Sequence, residues 1–320
     1  MKKFWLRLGV SLIVLTLLFI FLPWEEVRAA VVRMPLGVWA TVLVLFLAGH
    51  SLGVLKWRLL VNAGRSGLKV VDAFRCYAAG LFANMCLPSI IGGDVLRAIL
   101  AGRATGRPEA VVLGSISDRL VDLTSAGILV LVGGLLVRGA LPGLHMQLLT
   151  AAIILGLAVA VIFLPLALRR PLAKWPRKVR RSVGRALVAL RRVSRAPSVA
   201  VMALAISLVV QGGFVLLNAW IGRSIGIDAP IGAWMLAWSL AKLVGLLPIS
   251  LGGLGVRDAT LGALLSPFGV PVTLGVVASL VWQSVLIVGG LIAGAIWQAL
   301  TRTTRVASAP RAANHHLSPV

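Results

Sequence analysis

Two stretches of this 320-residue chain repeat a pattern suited to holding an anion. LPSIIGGDVLR (87–97) aligns without gaps against LPISLGGLGVR (247–257), both reading L-P-x-x-x-G-G-x-x-x-R, half the chain apart. Pro88 and Pro248 each remove a backbone donor, and the pairs Gly92-Gly93 and Gly252-Gly253 loosen the chain, so a helix should break there and restart. A restarted helix presents free N–H groups and the positive end of its dipole, and Arg97 or Arg257 shortly after the glycines adds a guanidinium; together these favour a phosphate. Asp94 is the expected N-cap of the first copy, Gly255 follows the second Gly pair, and Asp258 follows Arg257. The competing reading is close helix packing alone, as expected of the GxxxG pairs Gly49/Gly53 and Gly290/Gly294. Packing needs no arginine, and an arginine in hydrocarbon costs at least about 2.5–3.5 kcal/mol unless it is satisfied.

Other ionisable residues lie inside apolar stretches. Asp118 and Asp122 are one helical turn apart on one face, with Arg119 between them, and Lys242 precedes the second break. One reading has Asp118 and Asp122 balancing Arg97 and Arg257 in an empty site and releasing them to an arriving anion; the other is a fixed structural ion-pair set. Lys242 either joins the anion site or snorkels to the interface. Cys76 and Cys86 fall on different faces of a helix and read as free buried thiols, His50 as a polar contact inside the bundle. There is no Walker loop, nucleophile triad, metal-ligand cluster or dinucleotide fingerprint, so the expectation is no enzyme, no catalytic residue, no metal and no cofactor.

The elements that must position these residues follow from composition. Hydrophobic residues make up 59% of the chain and charged residues only 13%, with a mean hydropathy of +0.99. A soluble chain carries about 25% charged residues. The fold class expected is all-α, a polytopic integral membrane helical bundle. Spans are expected near Leu8–Leu22, Leu36–Leu55, Val111–Val137, Gln147–Leu168, Val199–Ile221 and Val272–Trp297. Two further apolar segments, Phe74–Leu100 and Ile231–Ser266, are interrupted at Pro88–Gly93 and Pro248–Gly255, and read as broken or re-entrant helices.

Net charge is +23, which in a soluble protein would point to nucleic acid; here it segregates by loop. If each broken segment returns to its starting side, 24 Lys/Arg fall in cytoplasmic segments, Lys56 among them, and 4 outside. Both termini are then cytoplasmic, in a cell inner membrane. Three spans separate the two motifs, an odd number, so they enter from opposite faces as inverted repeats. A cleaved signal peptide is the competing reading of the first apolar run, against which Glu25, Glu26 and Arg28 make a poor cleavage region. The basic loop 169–197, with eleven Lys/Arg and no acid, reads as a topology anchor or as an amphipathic helix on the inner leaflet. Residues 1–300 form the membrane domain, with repeat motifs near 74–104 and 231–266, and 301–320 a disordered cytoplasmic tail.

Asn84 followed by LPSIIGGDVLR, then Asp118-Arg119, then LPISLGGLGVRD, in that order and over most of the chain, resembles the flippase-like transmembrane region of lysylphosphatidylglycerol synthases and their stand-alone relatives. The resemblance implies a lipid translocator with Pro88, Gly92, Gly93, Asp94, Arg97, Asp118, Arg119, Pro248, Gly252, Gly253, Gly255, Arg257 and Asp258 at matching positions; the family often has Glu where Asp258 stands. Only residues 300–320 follow Ala299, so a stand-alone member without the synthase domain is expected. The expected function is movement of an anionic or phosphate-containing phospholipid or isoprenoid lipid between leaflets. Its alternative is a scaffold for a cell-envelope lipid or glycan enzyme. The partners expected are membrane lipids and no nucleic acid, with a homo-oligomer and an enzyme partner left open.

Overall fold

The computed structural model describes residues 25, 28, 32–86, 92–137, 184, 188, 196–245 and 255–308. Among them are eight α-helices: α1 (Leu36–Asn62), α2 (Val70–Cys86), α3 (Gly92–Thr105), α4 (Pro108–Val137), α5 (Pro197–Ser224), α6 (Ile231–Gly245), α7 (Val256–Leu265) and α8 (Val272–Ser308). Helices α1, α4, α5 and the Val272–Arg302 part of α8 are long and apolar enough to cross a membrane. Their apolar windows are only 22–56% buried within the chain, and Val44, Leu136, Val209 and Leu291 are among the outward-facing residues. So much exposed apolar surface is stable only against lipid, and the chain is a multi-pass integral membrane protein.

The other four helices are shorter. α2 has 17 residues, α3 14, α6 15 and α7 10, so none exceeds about 26 Å at 1.5 Å per residue, short of a hydrocarbon core of about 30 Å. α2 packs on α3 and α6 on α7, and the expected breaks lie in the segments between them, 87–91 and 246–254. Pro88, Pro248, Gly252 and Gly253 themselves lie outside the described residues, as do the expected spans Leu8–Leu22 and Gln147–Leu168 and, apart from 184 and 188, the basic loop.

Each short pair packs as a hairpin. A Cβ on Gly93 would strike the Gly80 carbonyl, so α2 and α3 approach to backbone contact. The turn before α2 and the turn after α3 also meet: the Arg107 guanidinium donates to the Arg65 carbonyl at 2.6 Å. The pair therefore begins and ends on one side of the bundle. In the second pair, Ile227 before α6 and Val270 after α7 share one buried cluster with Leu265.

The packing of the two halves, α1–α4 and α5–α8, obeys an exchange rule. α2 packs on α3 as α6 does on α7, α3 on α4 as α7 on α8, α2 on α8 as α6 on α4, and α1 on α4 as α5 on α8. α1 and α5 pack on each other across the exchange. Their register is antiparallel: Phe46, Gly49 and His50 of α1 meet Phe214 of α5, while Lys56, further along α1, shares the Asp122 carboxylate with Ser207, earlier in α5. The GxxxG glycines seat side chains: Gly49 faces the Phe214 ring, Gly53 the Tyr77 hydroxyl, Gly290 Met85 and Gly294 the Phe82 ring.

Two expected boundaries move. α1 runs past Leu55 to Asn62, which carries Lys56 out of the cytoplasmic loop and into the bundle, where it is 4% exposed. Removing it leaves 23 basic residues on the inner side of the expected topology, so the asymmetry stands. α8 continues to Ser308, with Thr301 Oγ1 donating to the Trp297 carbonyl at 2.7 Å, so residues 301–308 of the expected tail are helical.

Candidate functional site

All eight helices contribute to a cavity of about 810 Å³ between the two halves. Its charged lining begins with Arg97 in the second turn of α3. Arg97 Nη2 lies 2.8 Å from Asp118 Oδ2 and 3.2 Å from Asp94 Oδ1, and its guanidinium stands 5.0 Å from the Trp57 ring centroid and 4.9 Å from that of Tyr77. Two carboxylates and two aromatic faces compensate the charge of a cation that is 4% exposed, although its buried Nε has no hydrogen-bond partner among the described residues. Asp118 also takes Lys56 Nζ at 3.0 Å, Lys56 reaches on to Asp122, and Arg119 holds the other oxygen of Asp94. The face shared by Asp118 and Asp122 on α4 thus clamps α1 and α3 together.

Asp122 also ties the first half to the second. Ser207 Oγ donates to Asp122 Oδ1 at 2.7 Å, and Gln211 Nε2 donates to the Asp122 carbonyl and to Ser125 Oγ, both at 2.8 Å. Gln211 Oε1 accepts from Lys242 Nζ at 2.5 Å, and Lys242 stands 5.4 Å from the Trp238 ring. Lys242 therefore faces the cavity instead of snorkelling, and no ion pair joins it to a carboxylate among the described residues.

On the second half, Gly255 precedes α7 at φ 78°, in the left-handed region that favours glycine. Asp258 Oδ2 accepts the Gly255 N–H at 3.0 Å, and Asp258 Oδ1 accepts from Arg257 Nη2 at 2.9 Å and Ser279 Oγ at 2.5 Å. Gln283 Oε1 accepts a second bond from Arg257 Nη2 at 2.8 Å. Arg257 keeps 19% of its side chain exposed, against 5% for Arg97.

Between the charged walls stand Phe46, Phe214, Trp238 and Trp282, one each from α1, α5, α6 and α8. Their ring centroids are 5.6 Å apart for Phe46–Trp282, 5.7 Å for Phe214–Trp282 and 6.2 Å for Trp238–Trp282, the last two rings nearly perpendicular. His50 lies edge-on to Phe46 with Nδ1 3.4 Å from the Tyr77 hydroxyl, the polar contact expected of it. Cys76 is buried and free. No group of three or more metal-ligating side chains occurs among the described residues.

The cavity brings together Asn84, Asp94, Arg97, Asp118, Arg119, Asp122, Lys242 and Arg257, with Gly93, Gly255 and Asp258 immediately behind. Two expected roles are corrected. Asp94 does not cap α3, since the helix begins at Gly92 and Asn84 Oδ1 takes the Gly93 N–H at 2.9 Å, leaving Asp94 to Arg119 and Arg97. Asp122 does not balance Arg257: Lys56 and Ser207 hold it, and Arg257 finds its carboxylate in the adjacent Asp258. The sequence reading missed Lys56, Tyr77, Gln211, Gln283 and the four central rings. For Lys56 the signal was an α1 face that stays apolar beyond Leu55 through Trp57, Leu60 and Val61; for the rings there is none, because no two are near in sequence.

A family model described as the lysylphosphatidylglycerol synthase TM region matches residues 4–294. The chain belongs to that family. No curated protein and no solved structure matches it.

Proposed function

We propose that this member of the lysylphosphatidylglycerol synthase transmembrane-region family moves a lipid with a negatively charged headgroup between the two leaflets of a cell inner membrane. The observation that carries the proposal is a cation-rich cavity set among apolar helices at the meeting of two helical hairpins. Each charge held at membrane depth costs about 2.5–3.5 kcal/mol unless compensated, so a cluster of nine is kept for what it binds. The central rings and apolar walls suit the start of the acyl or isoprenoid chains, while Arg257 and Arg119, the most exposed of the ion-paired cations that line the cavity, receive the headgroup.

The two hairpins act as inverted repeats entering from opposite faces, with both termini cytoplasmic. The exchange rule of helix packing and the antiparallel register of α1 and α5 support that arrangement. Rocking of one half against the other would then expose the cavity to each leaflet in turn. The sequence has no nucleotide-binding motif, so a gradient supplies any energy, and the proposal assigns no catalytic residue and no cofactor.

The test is leaflet-resolved movement of labelled phosphatidylglycerol and of an isoprenoid phosphate in proteoliposomes, comparing wild type with Arg257→Gln. Movement by the wild type that is lost in a variant of unchanged melting temperature and elution profile is expected. Equal movement by protein-free vesicles, or by Arg257→Gln, would overturn the proposal.

A further inference from the structure

The charges around the cavity do not cancel. Among the described residues five cations face four carboxylates, a surplus of one positive charge. The segments between α2 and α3, LPSII (87–91), and between α6 and α7, LLPISLGGL (246–254), contain no ionisable side chain that could cancel it. The surplus has an address. Every other cation of the five has a carboxylate within 3.0 Å, whereas among the described residues Lys242 has only the neutral Gln211 amide and the Trp238 face.

In a water-poor cavity a mismatched charge is expensive, because Coulomb energies grow as the dielectric falls and salt screens buried charges weakly. A ligand carrying one negative charge brings the occupied cavity to neutrality. A zwitterion leaves the surplus standing, and a phosphate monoester, whose charge at pH 7 is about −1.5 to −2, overshoots it.

Resting on the proposed function, we infer that the cavity selects lipids whose headgroup is a singly charged phosphodiester, and that Lys242 is the residue that sets this selection. The phosphodiester oxygens replace Gln211 Oε1 as acceptors of the Lys242 ammonium. Gln211 is thereby freed on the one side chain that bonds both Lys242 and α4, which gives headgroup binding a route to the contact between the halves.

The experiment measures transport and lipid-dependent thermal stabilisation of the full chain with phosphatidylglycerol (monoanion), phosphatidylethanolamine (zwitterion) and phosphatidic acid (monoester). Wild type is expected to prefer phosphatidylglycerol. Lys242→Gln, with a neutral cavity, should lose about 30-fold or more of that preference and shift towards phosphatidylethanolamine, while Lys242→Arg keeps it. Asp122→Asn, which adds one positive charge, should shift preference towards phosphatidic acid. Glycerophosphoglycerol offers the same phosphodiester without acyl chains; if it saturates stabilisation at phosphatidylglycerol's concentration, the site is for a small anion and the inference falls.

Movement of all three lipids at similar rates, or preference unchanged in a folded Lys242→Gln, would overturn the inference and leave the translocator standing. Failure of the wild type to bind or move any of the three, or an isoprenoid phosphate, would overturn both.

Discussion

Asp118 is the residue whose removal tests the buried charge network most directly. It is 2% exposed, and its two oxygens meet Arg97 at 2.8 Å and Lys56 at 3.0 Å. Deleting one partner of a buried pair costs about 3–5 kcal/mol, chiefly because the remaining charge is stranded. Here Arg97 retains Asp94 at 3.2 Å and Lys56 retains Asp122, which places Asp118→Leu near the lower bound, about 3 kcal/mol. At about 2–4 °C per kcal/mol for chains of 150–250 residues, and less for a longer chain, the melting temperature in detergent should fall by about 6 °C. Arg97→Met should cost a similar amount. The double variant Arg97→Met/Asp118→Leu removes both charges, keeps the Lys56–Asp122 and Asp94–Arg119 pairs, and should recover most of the loss, a coupling of about 2 kcal/mol or more in a double-mutant cycle. Because Arg97 is enclosed by two rings and two carboxylates, the double variant should still move lipid. Additive losses would refute the pairing argument. A stable double variant as inactive as Arg257→Gln would refute the assignment of Arg97 to structure.

Gly93→Ala drives a methyl into the Gly80 carbonyl and the Asn84 amide; it should destabilise by about 1–3 kcal/mol, read as a lowered melting temperature, whereas Gly127→Ala, with nothing within 4 Å, should not. Asn84→Ala leaves the Gly93 N–H without its acceptor and should cost about 1 kcal/mol by the same measurement. Lys56→Met strands Asp122, while Asp118 keeps Arg97, and should reduce the yield of folded protein, with Lys56→Met/Asp122→Asn recovering part of it. In a background with Cys76 and Cys86 replaced by Ser, Ala104→Cys at the end of the first hairpin and Ser266→Cys just after the second should react with an impermeant thiol reagent from opposite sides of the membrane; labelling of both from one side would sink the inverted arrangement.

The parts of this fold written into the sequence are those with local causes. Proline and paired glycine break a helix wherever it packs, so the division of each apolar segment into two packed helices, α2 with α3 and α6 with α7, could be read. Hydropathy likewise marked the four long helices. What could not be read is which charge meets which. Lys56 looked like a loop cation because a hydropathy window ends where a charge begins, yet Asp118 and Asp122, three helices further on in α4, compensate it. The central rings have the same non-local origin.

The repeat itself misleads on one point, since matching motifs suggest matching roles. Arg97 and Arg257 occupy equivalent positions in the repeated motif, but their surroundings have diverged. Positions 118 and 122 on α4 are aspartates, whereas the positions that the same alignment pairs with them, in α8, are Ala278 and Trp282. The first arginine therefore meets a carboxylate across the helix interface and is sealed. The second finds only its own neighbour Asp258 and the Gln283 amide, and keeps part of its surface on the cavity. The proposed translocation calls for one wall that holds its shape and one that answers to the ligand, and the surroundings of the two copies of the motif differ in that direction. The first half supplies a framework of compensated charges through Asp94, Asp118 and Asp122, with Arg119 open at its edge, while Lys242, without a carboxylate partner among the described residues, and the partly open guanidinium of Arg257 stand on the second.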